Sequence, residues 1–121
     1  MITFAVALAA GLGAMCRYLL DEVVSHRTDG AFPSGTFSVN ITGSCVLGLV
    51  VGLSVHHHLG GDVAAVLGAG FAGGYTTLST WAWESLELGR EGAARVAAAN
   101  VVLSLGVGLL AGAAGLGLAL L

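Results

Sequence analysis

Long apolar segments separated by short polar ones dominate the pattern of this chain. Four segments, residues 2–20, 36–55, 63–86 and 93–121, carry almost no charge. Each approaches or exceeds the roughly 20 residues that a helix needs to cross about 30 Å of hydrocarbon. The pattern therefore predicts an all-α integral membrane protein, in which residues 1–121 form a single domain of four transmembrane helices.

Composition strengthens this prediction. Hydrophobic residues make up 56% of the chain and charged residues only 9%, with a mean hydropathy of +0.93. A soluble domain of this size needs a charged surface, so we expect a multi-pass protein of the cell membrane. Residues 1–4 lack the basic start of a cleaved signal peptide. Cys16 and Cys45 fall inside predicted spans, where cysteines behave as small hydrophobes, so neither a disulfide framework nor a metal-ligand spacing is expected.

The basic residues lie on one side of the predicted topology. All four are arginines, at the ends of spans one and three or the start of span four: Arg17, Arg27, Arg90 and Arg95. Because cytoplasmic loops carry an excess of Lys and Arg, the first and third loops are expected in the cytoplasm and both termini outside.

The third segment contains a polar interruption at its centre. Gly73 and Gly74 loosen the helix, and four hydroxyl residues follow: Thr76, Thr77, Ser79 and Thr80. Unpaired backbone groups are costly in hydrocarbon, so a broken helix there indicates a polar cavity or a bound ion, and carbonyls freed by a break are natural ligands for sodium. A glycine packing face, with hydroxyls bonding back along the helix, is the alternative.

Asparagines add polar positions to spans two and four. Asn40 shares one helix face with Thr36, and Asn100 stands four residues before Ser104. An amide inside a membrane helix can join two helices or donate N–H bonds to a passing anion. The spacing leaves both roles open.

Charged and titratable residues near the span ends also have two interpretations. Arg17 either reaches the interface and pairs with Asp21 or draws anions into a vestibule. Glu84 is either solvated at the interface or placed near a pore end. Three adjacent histidines at 56–58 lack a carboxylate-rich scaffold and do not predict a metal site. No catalytic constellation emerges, so an enzyme is not expected.

Three motifs, in order, resemble the Fluc (CrcB) family of fluoride channels along essentially the whole chain. Residues 11–18 are similar to a glycine-rich first helix that ends in Arg-Tyr. Residues 33–44 resemble the second-helix signature from Gly-Thr through Val-Asn to Gly. Residues 70–81 follow the third-helix motif Gly-Gly-x-Thr-Thr-Phe-Ser-Thr-Phe.

The resemblance implies an antiparallel dimer of four-helix subunits, a structural sodium ion (Na+) at the dimer centre and fluoride pathways along the subunit interface. Carried over by position, carbonyls of Gly73 and Thr76 would coordinate sodium, and Arg17 would serve the vestibule. The implied fluoride pathway comprises Asn40, Thr77, Leu78, Ser79, Thr80, Trp81 and Ser104, with Glu84 near the pore end. Donors along such a path would replace the water that a small anion sheds.

The chain departs from the family at two aromatic positions. The family presents two phenylalanine ring edges to fluoride, and these positions are here Leu78 and Trp81. Trp81 keeps an aromatic edge and gains an N–H donor, whereas Leu78 offers neither. Asn100 also stands where many members carry tyrosine.

These departures, and the location of all four arginines on one side of the predicted topology, bear on whether the second subunit of the dimer is identical to this chain. A homodimer of this kind needs both orientations of one chain, whereas a fixed orientation favours a heterodimer with a homologous subunit. We therefore expect a subunit that exports cytoplasmic fluoride passively, with membrane lipid around it and no nucleic acid partner. The alternative is a non-conducting structural or assembly subunit that keeps the sodium site. A proton-coupled exporter is disfavoured, because spans one, two and four have no mid-membrane carboxylate.

Overall fold

The computed structural model describes residues 1–121, and every regular element in it is helical. The elements in chain order are α1 (Ile2–Ser25), α2 (Ser34–His56), α3 (Gly61–Ala65), the π-helical segment π1 (Val66–Ala72), α4 (Gly73–Tyr75), α5 (Ser79–Arg90) and α6 (Ala94–Leu118). The predicted all-α class is confirmed.

Three of these helices are long and apolar enough to cross a membrane: α1, α2 and α6. The remaining apolar segment of the sequence corresponds to α3, π1, α4 and α5, which follow one another through residues 61–90 with one interruption. Large apolar side chains such as Phe4, Leu8 and Leu109 are exposed on the outside of α1 and α6. The chain is therefore a multi-pass membrane protein whose outer surface suits lipid.

The interruption of the third crossing lies just after its glycine pair. Thr76 is extended, with φ −80° and ψ 160°, and regular helix resumes only at Ser79. Ahead of the break, π1 widens the helix over Val66–Ala72. Short π-helical segments inside α-helices frequently accompany functional sites. The predicted bent third helix is thus present, with its break at residues 76–78.

Close backbone contact joins α2 to α6. A Cβ added at Gly48 would lie 2.0 Å from the Gly112 carbonyl oxygen, and one at Gly115 would lie 2.0 Å from the Cys45 carbonyl oxygen. Glycine is required where two backbones approach this closely. Packing of this kind associates helices where lipid removes the hydrophobic drive.

The first half of the third crossing is held in the same way against α1. A Cβ at Gly13 would meet the Phe71 carbonyl oxygen at 2.2 Å, and one at Gly74 would meet the Ala10 carbonyl oxygen at 2.2 Å. Gly74 thus serves close packing directly before the break, whereas Gly73 would have room for a side chain. With α1 fixed on one side, the break at 76–78 is presented toward α2 and α6.

Candidate functional site

A two-way hydrogen bond between α2 and the break fixes the centre of the site. Asn40 Nδ2 donates to the Thr77 carbonyl oxygen at 2.9 Å, and the Thr77 N–H donates to Asn40 Oδ1 at 2.9 Å. One side chain thereby satisfies both backbone groups of a residue that has left the helix, as buried backbone groups require. Of the two roles open to Asn40, the structure shows helix joining, and the amide keeps a second N–H.

The break leaves the carbonyl oxygens of residues 73–76 without their usual helical donors, and Gly73 and Thr76 are the two that the sequence analysis singled out. In an unbroken helix each would accept the N–H four residues further on. Here the Thr77 N–H donates to Asn40 Oδ1 instead, and the Thr80 N–H donates to Thr77 Oγ1 at 3.2 Å. Both carbonyls therefore lose their usual donor. Carbonyl oxygens of this kind suit a hard cation such as sodium.

Hydroxyl groups crowd the start of α5. Thr77 Oγ1, besides accepting the Thr80 N–H, donates to Thr80 Oγ1 at 2.9 Å and lies 3.5 Å from Ser79 Oγ. Thr77 is buried, whereas Ser79 and Thr80 are exposed on the surface of this chain. Exposed hydroxyls in the middle of a membrane crossing indicate contact with water, an ion or another protein surface rather than lipid.

A groove of about 310 Å³ opens beside the break, between α2 and α6. Its polar lining consists of backbone at the break and of hydrogen-bond donors from α2 and α6. Leu78 and Trp81 also line the groove. Leu78 is 75% exposed. The groove brings together seven of the residues singled out in the sequence: Asn40, Gly73, Thr76, Thr77, Leu78, Trp81 and Ser104.

A second pocket of about 190 Å³ lies on the α1 side of the break. Arg17 and Asp21 line it together with Thr36, Thr77 and Thr80. Arg17 forms no ion pair with Asp21, since the only ion pairs in the chain join His26 to Glu22 and Arg90 to Glu87. Thr77 lines both this pocket and the groove, so one buried hydroxyl residue separates the two polar spaces.

Glu84 lines neither space. Its Oε1 accepts a hydrogen bond from Thr36 Oγ1 at 2.8 Å, while its Oε2 is buried and has no partner. The carboxylate therefore joins α5 to α2 one turn beyond the hydroxyl cluster. The residue as a whole is part-buried, between these two helices.

A chain of hydrogen bonds connects α5 to α6. Asn100 is fully buried, and its Nδ2 donates to Ser85 Oγ at 2.9 Å while its Oδ1 accepts from Ser104 Oγ at 3.3 Å. Ser85 Oγ donates in turn to the Trp81 carbonyl oxygen at 2.8 Å. The spacing had indicated Asn100 and Ser104, but Ser85 was missed because a serine near a span end gives no signal of its own.

Two further polar contacts were also missed. The Tyr75 and Thr42 hydroxyls are 2.7 Å apart, which adds a link between α4 and α2 directly before the break. A ring nitrogen of His57 lies 2.7 Å from the Ala119 carbonyl oxygen, at the far end of α2 and α6. Both pairs are distant in sequence, so no spacing within one helix could have revealed them.

Comparison with known proteins identifies close relatives over nearly the whole chain. A family model described as CrcB-like protein, Camphor Resistance (CrcB), matches residues 4–116. A Fluoride-specific ion channel FluC 1 of Leifsonia xyli subsp. xyli is 46% identical over 121 residues, 98% of this chain and 85% of the relative.

Two further relatives carry the same kind of description. Fluoride-specific ion channel FluC 1 of Symbiobacterium thermophilum is 49% identical over 95% of this chain and 93% of its own length. Fluoride-specific ion channel FluC 2 of Mycobacterium tuberculosis is 42% identical over 91% of this chain and 84% of its own length. The similarity extends across all the elements that build the site.

Proposed function

The chain belongs to the CrcB family of fluoride-channel proteins and is not an enzyme, and we propose that it is a channel subunit through which cytoplasmic fluoride leaves the cell passively. The observation that carries the proposal is the polar break at residues 76–78, which opens outward onto a groove in the middle of a membrane crossing. An intact helix bundle has no reason to expose such a surface to lipid.

We place the fluoride path along the polar residues around this break. Arg17 in the α1-side pocket would attract the anion, because no ion-pair partner offsets its positive charge. The hydroxyls of Ser79 and Thr80 and the second N–H of Asn40 would then replace the water that fluoride sheds. The Thr77 and Ser104 hydroxyls, which donate to Thr80 Oγ1 and Asn100 Oδ1, would contribute by turning toward the anion. Glu84, one turn beyond the hydroxyl cluster and bonded to Thr36, would then lie near the pore end of this path.

A structural sodium ion fits the freed carbonyl oxygens of Gly73 and Thr76. Both residues line the groove, which is open at the surface of the chain. Two carbonyls are too few for a hard cation, which prefers about six oxygen ligands. A second subunit, antiparallel to the first, would contribute equivalent carbonyls from its own break. The positive charge of the ion would hold together the carbonyl oxygens of the broken helices in the two subunits.

A second candidate function rests on Leu78. This apolar side chain is 75% exposed where the pathway needs a group that interacts with an anion. A subunit with that substitution would hold the sodium site and complete the dimer while the partner subunit conducts. It would then be a structural or assembly subunit of a heterodimeric channel.

Fluoride release from liposomes distinguishes these functions. We expect release of fluoride but not chloride from vesicles containing this chain, alone or with a homologous partner. In a mixed dimer, Asn40→Asp in this chain tests which subunit conducts, because a carboxylate in the groove repels anions. If this variant leaves the flux of the mixed dimer unchanged, the path does not run through this chain. Release from neither preparation would contradict the channel proposal.

A further inference from the structure

We propose that Asn100 is a positioning residue for fluoride permeation, which keeps the hydroxyl proton of Ser104 available to an anion in the groove. The inference rests on the proposed function and adds to it a residue outside the groove. Ser104 lines the groove from α6, whereas Asn100, one turn earlier on the same helix, is fully buried and does not line it. Asn100 can therefore act on an ion only through its neighbours.

The hydrogen bond of Ser104 differs from those of other serines inside the helices of this chain. Ser44, Ser54 and Ser85 each donate to the backbone carbonyl oxygen four residues earlier, at 2.8 Å. This bond back to the helix is open to any serine within one. Ser104 instead donates to a side-chain oxygen, Asn100 Oδ1, at 3.3 Å. That distance exceeds the range of about 2.5–3.0 Å typical of O–H···O bonds, so the Ser104 proton is held weakly.

Ser85 determines which end of the Asn100 amide faces Ser104. A serine hydroxyl has one proton, and that of Ser85 is donated to the Trp81 carbonyl oxygen at 2.8 Å. Ser85 Oγ can therefore only accept from the amide, and it does so from Asn100 Nδ2 at 2.9 Å. The amide oxygen is left on the side of Ser104. Asn100 thus presents to the Ser104 hydroxyl an acceptor whose orientation is fixed from α5.

A weakly held proton suits a donor that each passing anion uses briefly. Hydrogen bonds with a charged partner are roughly twice as strong as neutral ones, so fluoride in the groove competes well with the amide oxygen for the Ser104 proton. The hydroxyl hydrogen rotates to suit its acceptor, and this requires no movement of the helix. When the ion leaves, Asn100 Oδ1 accepts the proton again. A bond back to the backbone, as short as that of Ser44, would compete with the anion more strongly.

Asparagine side-chain NMR tests the inference on the intact protein. The chain has two asparagines, Asn40 and Asn100, and no glutamine, so selective labelling gives two carboxamide signals. In detergent micelles we expect fluoride to shift the Asn100 ¹³Cγ resonance in a saturable manner, because the amide oxygen loses its bond from Ser104. Chloride should leave the resonance unchanged, and the fluoride shift should disappear in Ser104→Ala. An Asn100 signal that does not respond to fluoride while the protein conducts, or a shift that persists in Ser104→Ala, overturns the inference and leaves the proposed function standing.

Liposome flux of two single variants and their combination separates positioning from a purely structural role. We expect Asn100→Ala to lower fluoride flux about tenfold or more, because the Ser104 proton then bonds back to the carbonyl oxygen of residue 100, and Ser104→Ala to lower it by a similar factor. In the double variant the two losses should not multiply, since both remove the same donor.

Ser54→Ala is the matched control for these measurements. Ser54 bonds back within α2 and does not line the groove, so this variant should conduct like the parent. Losses that multiply in the double variant, or a flux in Asn100→Ala equal to that of the parent, contradict the positioning role. If neither the parent chain nor its mixed dimer releases fluoride, the proposed function itself fails, and the inference fails with it.

Discussion

At the scale of single residues, Asn40 is the side chain on which the break depends. It replaces, from α2, the two backbone bonds that Thr77 would have made inside a helix, and both of its contacts are 2.9 Å long. In hydrocarbon the unbonded alternative is expensive, because no water can take the place of the amide. The break is therefore stabilised by one side chain and is sensitive to its loss.

Substitution of Asn40 is expected to destabilise the protein. In Asn40→Ala the Thr77 N–H and carbonyl oxygen both lose their partner, which predicts a loss of about 2 kcal/mol or more, together with lower fluoride flux. Ser44→Ala is the matched control, since Ser44 Oγ only bonds back to the Asn40 carbonyl oxygen within α2. Thermal unfolding in detergent measures both. Equal midpoints for the two variants would show that the contact does not stabilise the break.

The sequence indicated which polar side chains belong to the candidate site. It did not indicate which residues these side chains contact. The amide at Asn40 and the hydroxyls after Gly74 stand out because polar groups are rare inside a span. Their partners do not stand out. Thr77 bonds to Asn40 across 37 positions, and Thr36 bonds to Glu84 across 48, so only the folded chain reveals these pairs.

At the scale of elements, the third crossing shows that the glycine pair alone does not predict the exact position of the helix break. A break at the centre was expected from Gly73 and Gly74, whose missing side chains loosen a helix. The structure keeps both inside α4 and breaks the helix at residues 76–78, where side-chain acceptors capture the Thr77 and Thr80 N–H groups. Competition for hydrogen bonds, and not glycine flexibility alone, sets the position.

The glycine contacts between α2 and α6 give a second prediction. Gly115→Ala would place a Cβ 2.0 Å from the Cys45 carbonyl oxygen, so the two helices must separate. Overpacking of this kind costs about 1–3 kcal/mol. Gly106→Ala, on the same helix, is the control, because nothing lies within 4 Å of its added Cβ. Unfolding midpoints in detergent compare the pair, and a Gly115→Ala midpoint as high as that of Gly106→Ala would contradict close packing at this site.

At the scale of the whole molecule, one chain leaves its central site incomplete. The freed carbonyls of Gly73 and Thr76 line an open groove, and two oxygens do not complete the coordination of a cation. The mid-span hydroxyls of Ser79 and Thr80 are also exposed. A second subunit packed on this face would cover both features, which is the physical argument for a dimer.

Sodium removal tests this arrangement. If the ion joins two breaks, we expect the functional dimer to dissociate, or its fluoride flux to fall, when sodium is replaced by a large organic cation such as N-methylglucamine at constant ionic strength. Native mass spectrometry and liposome flux give the two readouts. Readdition of sodium should restore both, whereas potassium at the same concentration controls for ionic strength. A dimer that is equally stable and active without sodium would exclude a structural role for the ion.

The positions of the arginines bear on whether the second subunit is another copy of this chain or a homologous protein. All four belong to the first and third loops or the adjoining helix ends, at Arg17, Arg27, Arg90 and Arg95. The positive-inside rule then predicts one orientation for every copy, with both termini outside. An antiparallel dimer needs the opposite orientation as well, so a fixed orientation would favour a homologous partner of reversed charge bias over a second copy of this chain.

Topology reporters at the C-terminus measure this directly. We expect a fusion to alkaline phosphatase to be active and a fusion to green fluorescent protein to be dark, because the terminus after α6 is predicted to lie outside. Adding two arginines around the second loop, as His56→Arg and His58→Arg, should give a mixed population, since the only titratable side chains of residues 56–62 are three histidines and Asp62. Activity of both reporters in the parent chain would show dual orientation and favour the homodimer over the heterodimer.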